Sequence, residues 1–163
     1  MQNPATALLS LEEAIKVRAE LKKNNRSLVI TNGCFDLLHM GHASYLYEAA
    51  KQGDELWVLI NSDASVSALK GPTRPLVPQD ARAYMLGALE SVTHVVVFDT
   101  PRCDRELELL APDIYVKAGD YTLETLDASE RSALLKNNSK IVFMPFIEGF
   151  STTNIVEKIR KTL

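Results

Sequence analysis

Two histidines three residues apart, His39 and His42, stand where an apolar run gives way to a helical one, in the stretch SLVITNGCFDLLHMGHASY from Ser27 to Tyr45. Positions i and i+3 on the first turn of a helix share a face. The free N–H groups and the positive end of the dipole at a helix start attract anions. Two imidazoles donating into that spot grip a phosphoryl group, and charge that builds on its oxygens during a displacement meets donors already in place. Gly33, Cys34, Phe35 and Asp36 make the turn that leads into the helix, and Gly41, between the histidines, permits close approach of backbone to a ligand. Two duller readings compete. His39 and His42 with Cys34 and Asp36 could hold zinc, although protein zinc takes three or four ligands in a less ambiguous pattern, and a histidine pair can be purely structural. The combination of glycine turn, aromatic, acid and paired histidines points to phosphate.

Other polar segments also follow apolar runs or open helices. Asn61, Ser62 and Asp63 lead into a polar loop punctuated by Gly and Pro, Ala68 to Pro75, whose Lys70 and Arg74 either neutralise phosphates or are simply solvated. Arg82, on the next helix, reaches the same phosphates or lies on the surface. Further on, Lys117-Ala118-Gly119-Asp120-Tyr121 offers an acid to accept from ribose hydroxyls, an aromatic to stack on a base and a glycine that lets backbone approach a ligand; the bland alternative is a turn with a half-buried tyrosine. Gly149-Phe150-Ser151-Thr152-Thr153 opens the last helix. Ser151 is a natural N-cap there, and hydroxyls and amides at a helix start point outward together, as phosphate binding requires.

These segments need elements to hold them. Ser10-Leu11-Glu12-Glu13 has the capping-box pattern, and apolar residues at three- and four-residue intervals predict a helix over 10–24, on the surface because Arg18 interrupts its stripe. Five short apolar runs read as strands: Leu28 to Ile30, Leu56 to Ile60, Val95 to Phe98, Ile114 to Val116 and Ile141 to Met144. Helical patterns separate them, near His39 to Ala50, Gln79 to Leu89, Arg102 to Leu110 and Ser129 to Leu135, with a last helix from Thr152 to Lys161. Strands alternating with helices predict an α/β fold, a Rossmann-like doubly wound five-stranded parallel sheet with helices on both faces. Such sheets bind ligands beyond the carboxyl ends of their strands, where strand order reverses.

A chain of 163 residues is read as a single domain over residues 1–163. With 46% hydrophobic residues, 24% charged residues and a formal net charge of −3, its composition is that of a water-soluble globular protein. Dispersed basic residues argue against a nucleic-acid partner. No run of 18 apolar residues predicts a membrane span. Two cysteines, Cys34 and Cys103, without C-x-x-C spacing fit a reducing compartment, and a cytoplasmic location is expected. Neither G-x-G-x-x-G nor G-x-x-x-x-G-K-[ST] occurs, which argues against a dinucleotide oxidoreductase or a P-loop kinase.

The ordered motifs H-x-G-H, N-S-D, L-K-G-x-x-R-P, V-K-x-G-D-Y and G-x-S-T-T-N-I, spread from about Leu28 to Ile159, resemble the HxGH nucleotidyltransferases, the cytidylyltransferase-like superfamily. The resemblance implies that His39 and His42 contact the α-phosphate region of a nucleoside triphosphate, that a sugar or alcohol phosphate attacks, and that pyrophosphate leaves. It makes Lys70 a third catalytic residue on a mobile cationic loop. Gly33, Cys34, Phe35, Gly41, Gly119, Asp120, Tyr121, Gly149, Ser151, Thr152 and Thr153 become the nucleotide site, and Asp36, Asn61, Asp63, Arg74 and Lys117 the acceptor site. It implies Mg²⁺ accompanying the triphosphate, no resident metal, and a homodimer. Two branches compete. L-K-G-x-x-R-P and K-x-G-D-Y look like the adenylyltransferases of ADP-heptose synthesis, which join ATP to D-glycero-β-D-manno-heptose 1-phosphate; the other branch is glycerol-3-phosphate cytidylyltransferase, which uses CTP. The latter usually has Arg shortly before S-T-T, whereas Pro145 to Gly149 offers no cation, which favours the heptose branch. In the opposite direction, Phe150 stands where the heptose enzymes usually carry Cys. A nucleotide-binding regulator with the crevice and no chemistry is a more distant alternative.

Overall fold

A computed structural model describes residues 3–145 and 149–162. Six parallel strands form one sheet: β1 (Leu8–Leu9), β2 (Leu28–Gly33), β3 (Glu55–Asn61), β4 (His94–Phe98), β5 (Ile114–Ala118) and β6 (Lys140–Met144), in the order β1-β4-β3-β2-β5-β6. Around it lie α1 (Leu11–Lys23), α2 (Met40–Ala50), α3 (Asp63–Lys70), α4 (Gln79–Gly87), α5 (Asp104–Leu110), α6 (Ala128–Lys136) and α7 (Thr152–Thr162). The expected five strands are present. The sixth is β1, which pairs Leu8 with Val95 and Leu9 with Val96; two residues are too short to show a period.

Side chains alternate across the sheet because a strand has a period of two. Leu28, Ile30, Trp57, Leu59, Val96 and Tyr115 enter one core with residues of α1, α5 and α6, whereas Val29, Leu56, Val58, Ile60, Val95 and Val116 enter the other, with residues of α2 and α4. Both faces are therefore covered, as a parallel sheet requires.

Helix α1 begins with a full capping box: the Glu13 amide donates to Ser10 Oγ at 3.3 Å and the Ser10 amide donates to Glu13 Oε2 at 2.8 Å. The expected surface position for its Arg18 is corrected. Arg18 is buried, donating through Nε to the Leu110 carbonyl at 3.0 Å and through Nη2 to the Ala111 carbonyl at 2.8 Å, with Asp113 at 3.0 Å. Carbonyls at the end of a helix lack intrahelical donors, and the guanidinium meets that need at the end of α5.

A second correction concerns Ala68, Leu69 and Lys70, expected at the start of the loop Ala68 to Pro75; they are the last residues of a helix that begins at Asp63. This helix, α3, is capped by Ser62, whose Oγ accepts from the Ser65 amide at 3.3 Å, and Gly71 closes it at φ +95°. The signal was weak because Val66 is the one buried apolar side chain of that helix.

Strand order reverses beside β2. From β2 the chain winds outward through β3 and β4, then crosses back to place β5 on the other flank. β2 and β5 are paired only at Val29–Ile114 and Ile30–Tyr115, while β2 and β3 stay in register from Leu28 to Gly33. Beyond Ile30 and Tyr115 the sheet parts. A crevice opens there, at the carboxyl ends of the strands, which is the ligand position of a doubly wound sheet.

Candidate functional site

A cavity of about 600 Å³ fills that crevice. Its walls bring together most of the expected residues: Gly33, Cys34, Phe35 and Asp36 of the turn after β2; His39, Gly41 and His42 at the start of α2; Lys70 at the end of α3; Lys117 and Tyr121 after β5; and Gly149, Ser151, Thr152 and Thr153 at the start of α7. Two helix N-termini thus meet at one space.

His39 is the N-cap residue of α2 and His42 lies in its first turn, so the i,i+3 spacing stacks the rings with centroids 3.8 Å apart and planes 21° from parallel. Phe35, at φ +48°, packs its ring 5.1 Å from that of His42. Gly33 makes room for it, since a Cβ there would come within 2.9 Å of Phe35 Cε2. Gly41 serves the ring of His39 in the same way: a Cβ would meet His39 Nδ1 at 3.0 Å and Phe150 Cβ at 3.2 Å.

Both Nδ1 atoms are buried and lack a hydrogen-bond partner among the described residues. Burial pushes His42 down to about 4, with the nearby His39 adding to the effect, the Leu37 backbone opposing it and Lys70 adding again; burial also lowers His39. The pair is therefore neutral at pH 7. An anion arriving at the cavity side of the rings favours their protonated form.

Lys70 makes no ion pair among the described residues, and its charge is carried to the cavity wall by the last turn of α3. Opposite, Ser151 Oγ accepts from the Asn154 amide at 3.0 Å, so it caps α7 as expected while Thr152 and Thr153 line the cavity beside it. Phe146, Ile147 and Glu148, part of the segment that carries no cation, lie outside the described residues.

Several expected acceptor contacts are committed elsewhere. Asp36 is buried, and its carboxylate accepts from Arg74 Nη1 at 2.5 Å and from the Leu76 and Val77 amides at 2.7 and 3.0 Å. Burial alone would raise its carboxyl, but the Arg74 guanidinium and those two amides outweigh it and hold the group below the usual range. Asp36 and Arg74 therefore fasten the loop after α3 to the histidine-bearing turn. Arg82, expected at the phosphates or the surface, is at neither: its fully buried side chain donates to the Val77 and Cys34 carbonyls at 2.9 and 2.6 Å and to Asp63 at 2.8 Å. That contact also takes Asp63 away from the cavity. Gly119 continues the ladder toward β6, its amide donating to the Met144 carbonyl at 2.9 Å, and at φ +116° it turns the chain so that Tyr121 lines the cavity while Asp120 is exposed outside it.

Asn61 and Lys117 border a smaller cavity that adjoins the first. Lys117 Nζ donates to Asn32 Oδ1 at 2.7 Å, and so does the Tyr115 hydroxyl, also at 2.7 Å. Asn32, Tyr45, Phe150 and Asn154 are wall residues of the first cavity without an expected role. Tyr45 was visible in principle, three residues after His42 on the same helical face. Its hydroxyl shares a hydrogen bond of 2.6 Å with Thr31 Oγ1 and donates to the Val116 carbonyl at 3.0 Å, bridging the parted strands.

Among the described residues no group of three or more His, Cys, Asp and Glu is placed to hold a metal ion, and the carboxylate in the first cavity, Asp36, is already satisfied. No described helix is long and apolar enough to cross a membrane.

Residues 30–158 match the family described as cytidylyltransferase-like. Among curated proteins, the Bifunctional protein HldE of Klebsiella pneumoniae subsp. pneumoniae is 44% identical over 154 residues, covering 94% of this chain and 32% of that protein. The Bifunctional protein HldE of Geotalea uraniireducens is 48% identical over 144 residues, covering 88% of this chain and 29% of that protein. The chain thus spans about a third of the length of these curated relatives. Among solved structures, the lipopolysaccharide core biosynthesis protein from Thermoplasma volcanium GSS1 superposes with a TM-score of 0.59 at 25% identity, over 75% of this chain and 97% of that one.

Proposed function

The chain belongs to the cytidylyltransferase-like family and is a nucleotidyltransferase, and we propose that it transfers AMP from ATP to a sugar 1-phosphate, D-glycero-β-D-manno-heptose 1-phosphate, with release of pyrophosphate. The observation that carries the reading is the stacked pair His39 and His42, both with a buried Nδ1 unpartnered among the described residues, facing the start of α7 across one cavity. The sugar assignment draws support from the L-K-G-x-x-R-P and K-x-G-D-Y segments and from the lipopolysaccharide core biosynthesis protein among the similar structures.

In this reading the triphosphate, as its Mg²⁺ complex, lies between the first turn of α2 and the first turn of α7. Thr152 and Thr153 hold its outer phosphates with the amides of that turn. Lys70 neutralises charge on the side of α3, and Tyr121 stacks on the nucleoside. The acceptor phosphate attacks the α-phosphorus in line. No side-chain nucleophile is needed, because this chemistry depends on positioning and on stabilising charge. The imidazoles donate to the equatorial oxygens as negative charge grows there, and the effect is largest in the transition state.

The test is pyrophosphate release from ATP and from CTP, each offered the heptose 1-phosphate or glycerol 3-phosphate. Turnover with ATP and the heptose phosphate alone is expected. Turnover confined to CTP and glycerol 3-phosphate would keep the chemistry and overturn the substrates.

A further inference from the structure

A second cavity of about 430 Å³ opens off the first, sharing Asn32, Cys34, Lys117 and Tyr121 with it and continuing past Asn61 to Glu130 on α6. We propose that Glu130, with Lys117 beside it, is the specificity residue through which this second cavity recognises hydroxyls on a polyhydroxylated acceptor phosphate. The inference rests on the reading of the first cavity as the site of nucleotidyl transfer.

Glu130 is 3% exposed, and its carboxylate is only half satisfied. Oε1 accepts from Asn32 Nδ2 at 3.2 Å and from Cys103 Sγ at 3.4 Å. Oε2 has Lys117 Nζ at 3.8 Å, an ion pair too long for a hydrogen bond, and no other donor among the described residues. This oxygen borders the cavity, where a ligand's donor can reach it. Lys117 has the converse surplus. One of its three N–H groups goes to Asn32 Oδ1, leaving donors that the described residues do not take up. A hydroxyl placed between them donates to Oε2 and accepts from Nζ, and a neighbouring hydroxyl can use the remaining lone pair.

The chemistry selects a neutral polar group. A phosphate would be repelled by Glu130, and the other cation at the wall, Arg102, is already paired with Asp127 at 2.8 Å. The acceptor's phosphate therefore belongs to the first cavity, beside the histidines, with its carbon body extending past Lys117. A three-carbon polyol would leave most of the second space to water, whereas a sugar ring with a side chain would use it.

The test uses the full chain. Binding of D-glycero-β-D-manno-heptose 1-phosphate, of its single-deoxy analogues and of glycerol 3-phosphate is measured by calorimetry, alongside KM for ATP and for the acceptor in pyrophosphate release. Glu130→Gln should weaken the sugar phosphate by about ten- to a hundredfold. It should leave the KM for ATP within about twofold and erase the penalty for one deoxy analogue. Leu69→Trp, which narrows the second cavity from a partly exposed position outside the Glu130 network, should raise the acceptor KM in the same selective way, and it decides the matter if Glu130 variants do not fold. Unchanged acceptor affinity in a folded Glu130→Gln protein, or an equal loss for parent and all deoxy analogues, overturns the inference while leaving the transfer reaction intact. Binding that depends on Glu130 without any turnover would sustain the inference and overturn the reaction. A wild-type protein that binds none of the sugar phosphates overturns both.

Discussion

Arg82 reaches from α4 to the carbonyl oxygen of Cys34, 2.6 Å from its Nη1, and so joins a helix far along the chain to the turn that presents the two histidines. The same guanidinium holds Val77 and Asp63, leaving none of its three nitrogens without a contact. Replacing it with Met keeps the bulk and strands two buried carbonyls. Arg82→Met should lose about 3 kcal/mol of stability, read as a lower urea midpoint at unchanged slope. A midpoint equal to that of wild type would show that the buried guanidinium contributes nothing.

Removal of either imidazole tests the centre of the proposed reaction. His39→Ala and His42→Ala should each lower kcat by about two to three decades, with the thermal transition preserved. Near wild-type turnover in both would exclude the histidines from the chemistry.

Lys70 is exposed and makes no ion pair among the described residues, so its loss should leave the fold intact. Lys70→Ala should reduce kcat/KM by about ten- to a hundredfold, the size expected for one charge-assisted contact. Lys70→Arg should recover part of the loss. Full activity in the alanine variant would place the triphosphate elsewhere.

The histidine pair also fixes a pH dependence. Both groups are held below the ordinary value, His42 at about 4. Between the unfolded value, near 6.5, and that lowered one, the unfolded chain binds protons that the folded chain does not. Stability therefore falls as pH drops through this window and levels off below it. His42→Asn should flatten the slope of urea midpoint against pH between 7 and 5. Nucleotide binding should act on these rings in the same direction as unfolding, raising their proton affinity. ATP should bind with proton uptake near pH 6, seen as a binding heat that varies with the ionisation enthalpy of the buffer. A buffer-independent heat would mean that the rings stay neutral in the complex.

The Asp36–Arg74 pair predicts a loop effect with no loss of chemistry groups. Arg74→Ala leaves Asp36 with its two amide donors, so about 2 kcal/mol of stability should go rather than the whole fold. The stronger signature is kinetic: KM for the triphosphate should rise more than kcat falls, because Lys70 stands at the head of the loop that Arg74 fastens. Equal changes in both constants would detach the loop from Lys70.

Most of the architecture could be read from the sequence because its two periods are clean. Leu56 to Ile60 alternates between cores, and His39, His42 and Tyr45 share one helical face. The misses have physical causes. Arg18, Asp36, Arg74 and Arg82 were read by charge, and charge alone suggests solvent or ligand; in the structure each meets backbone or an opposite charge that is distant in sequence, such as Leu110 for Arg18 or Val77 for Asp36. Glu130 carried no motif at all. Its place at the second cavity depends on α6 packing beneath the β2–β5 split, a relationship between elements almost a hundred residues apart that no local pattern encodes.

The parting of β2 and β5 after Ile30 and Tyr115 gives this chain latitude for redesign. The space at the strand ends follows from strand order, and of the buried core residues Phe35 and Leu126 reach its walls. Wall positions such as Leu69, Thr125 and Phe150 can then be exchanged for new sizes and polarities with the ladder left untouched. A library confined to those three positions should retain a folded majority while spreading acceptor preference, which makes the scaffold a practical starting point for nucleotidyltransferases with new acceptors.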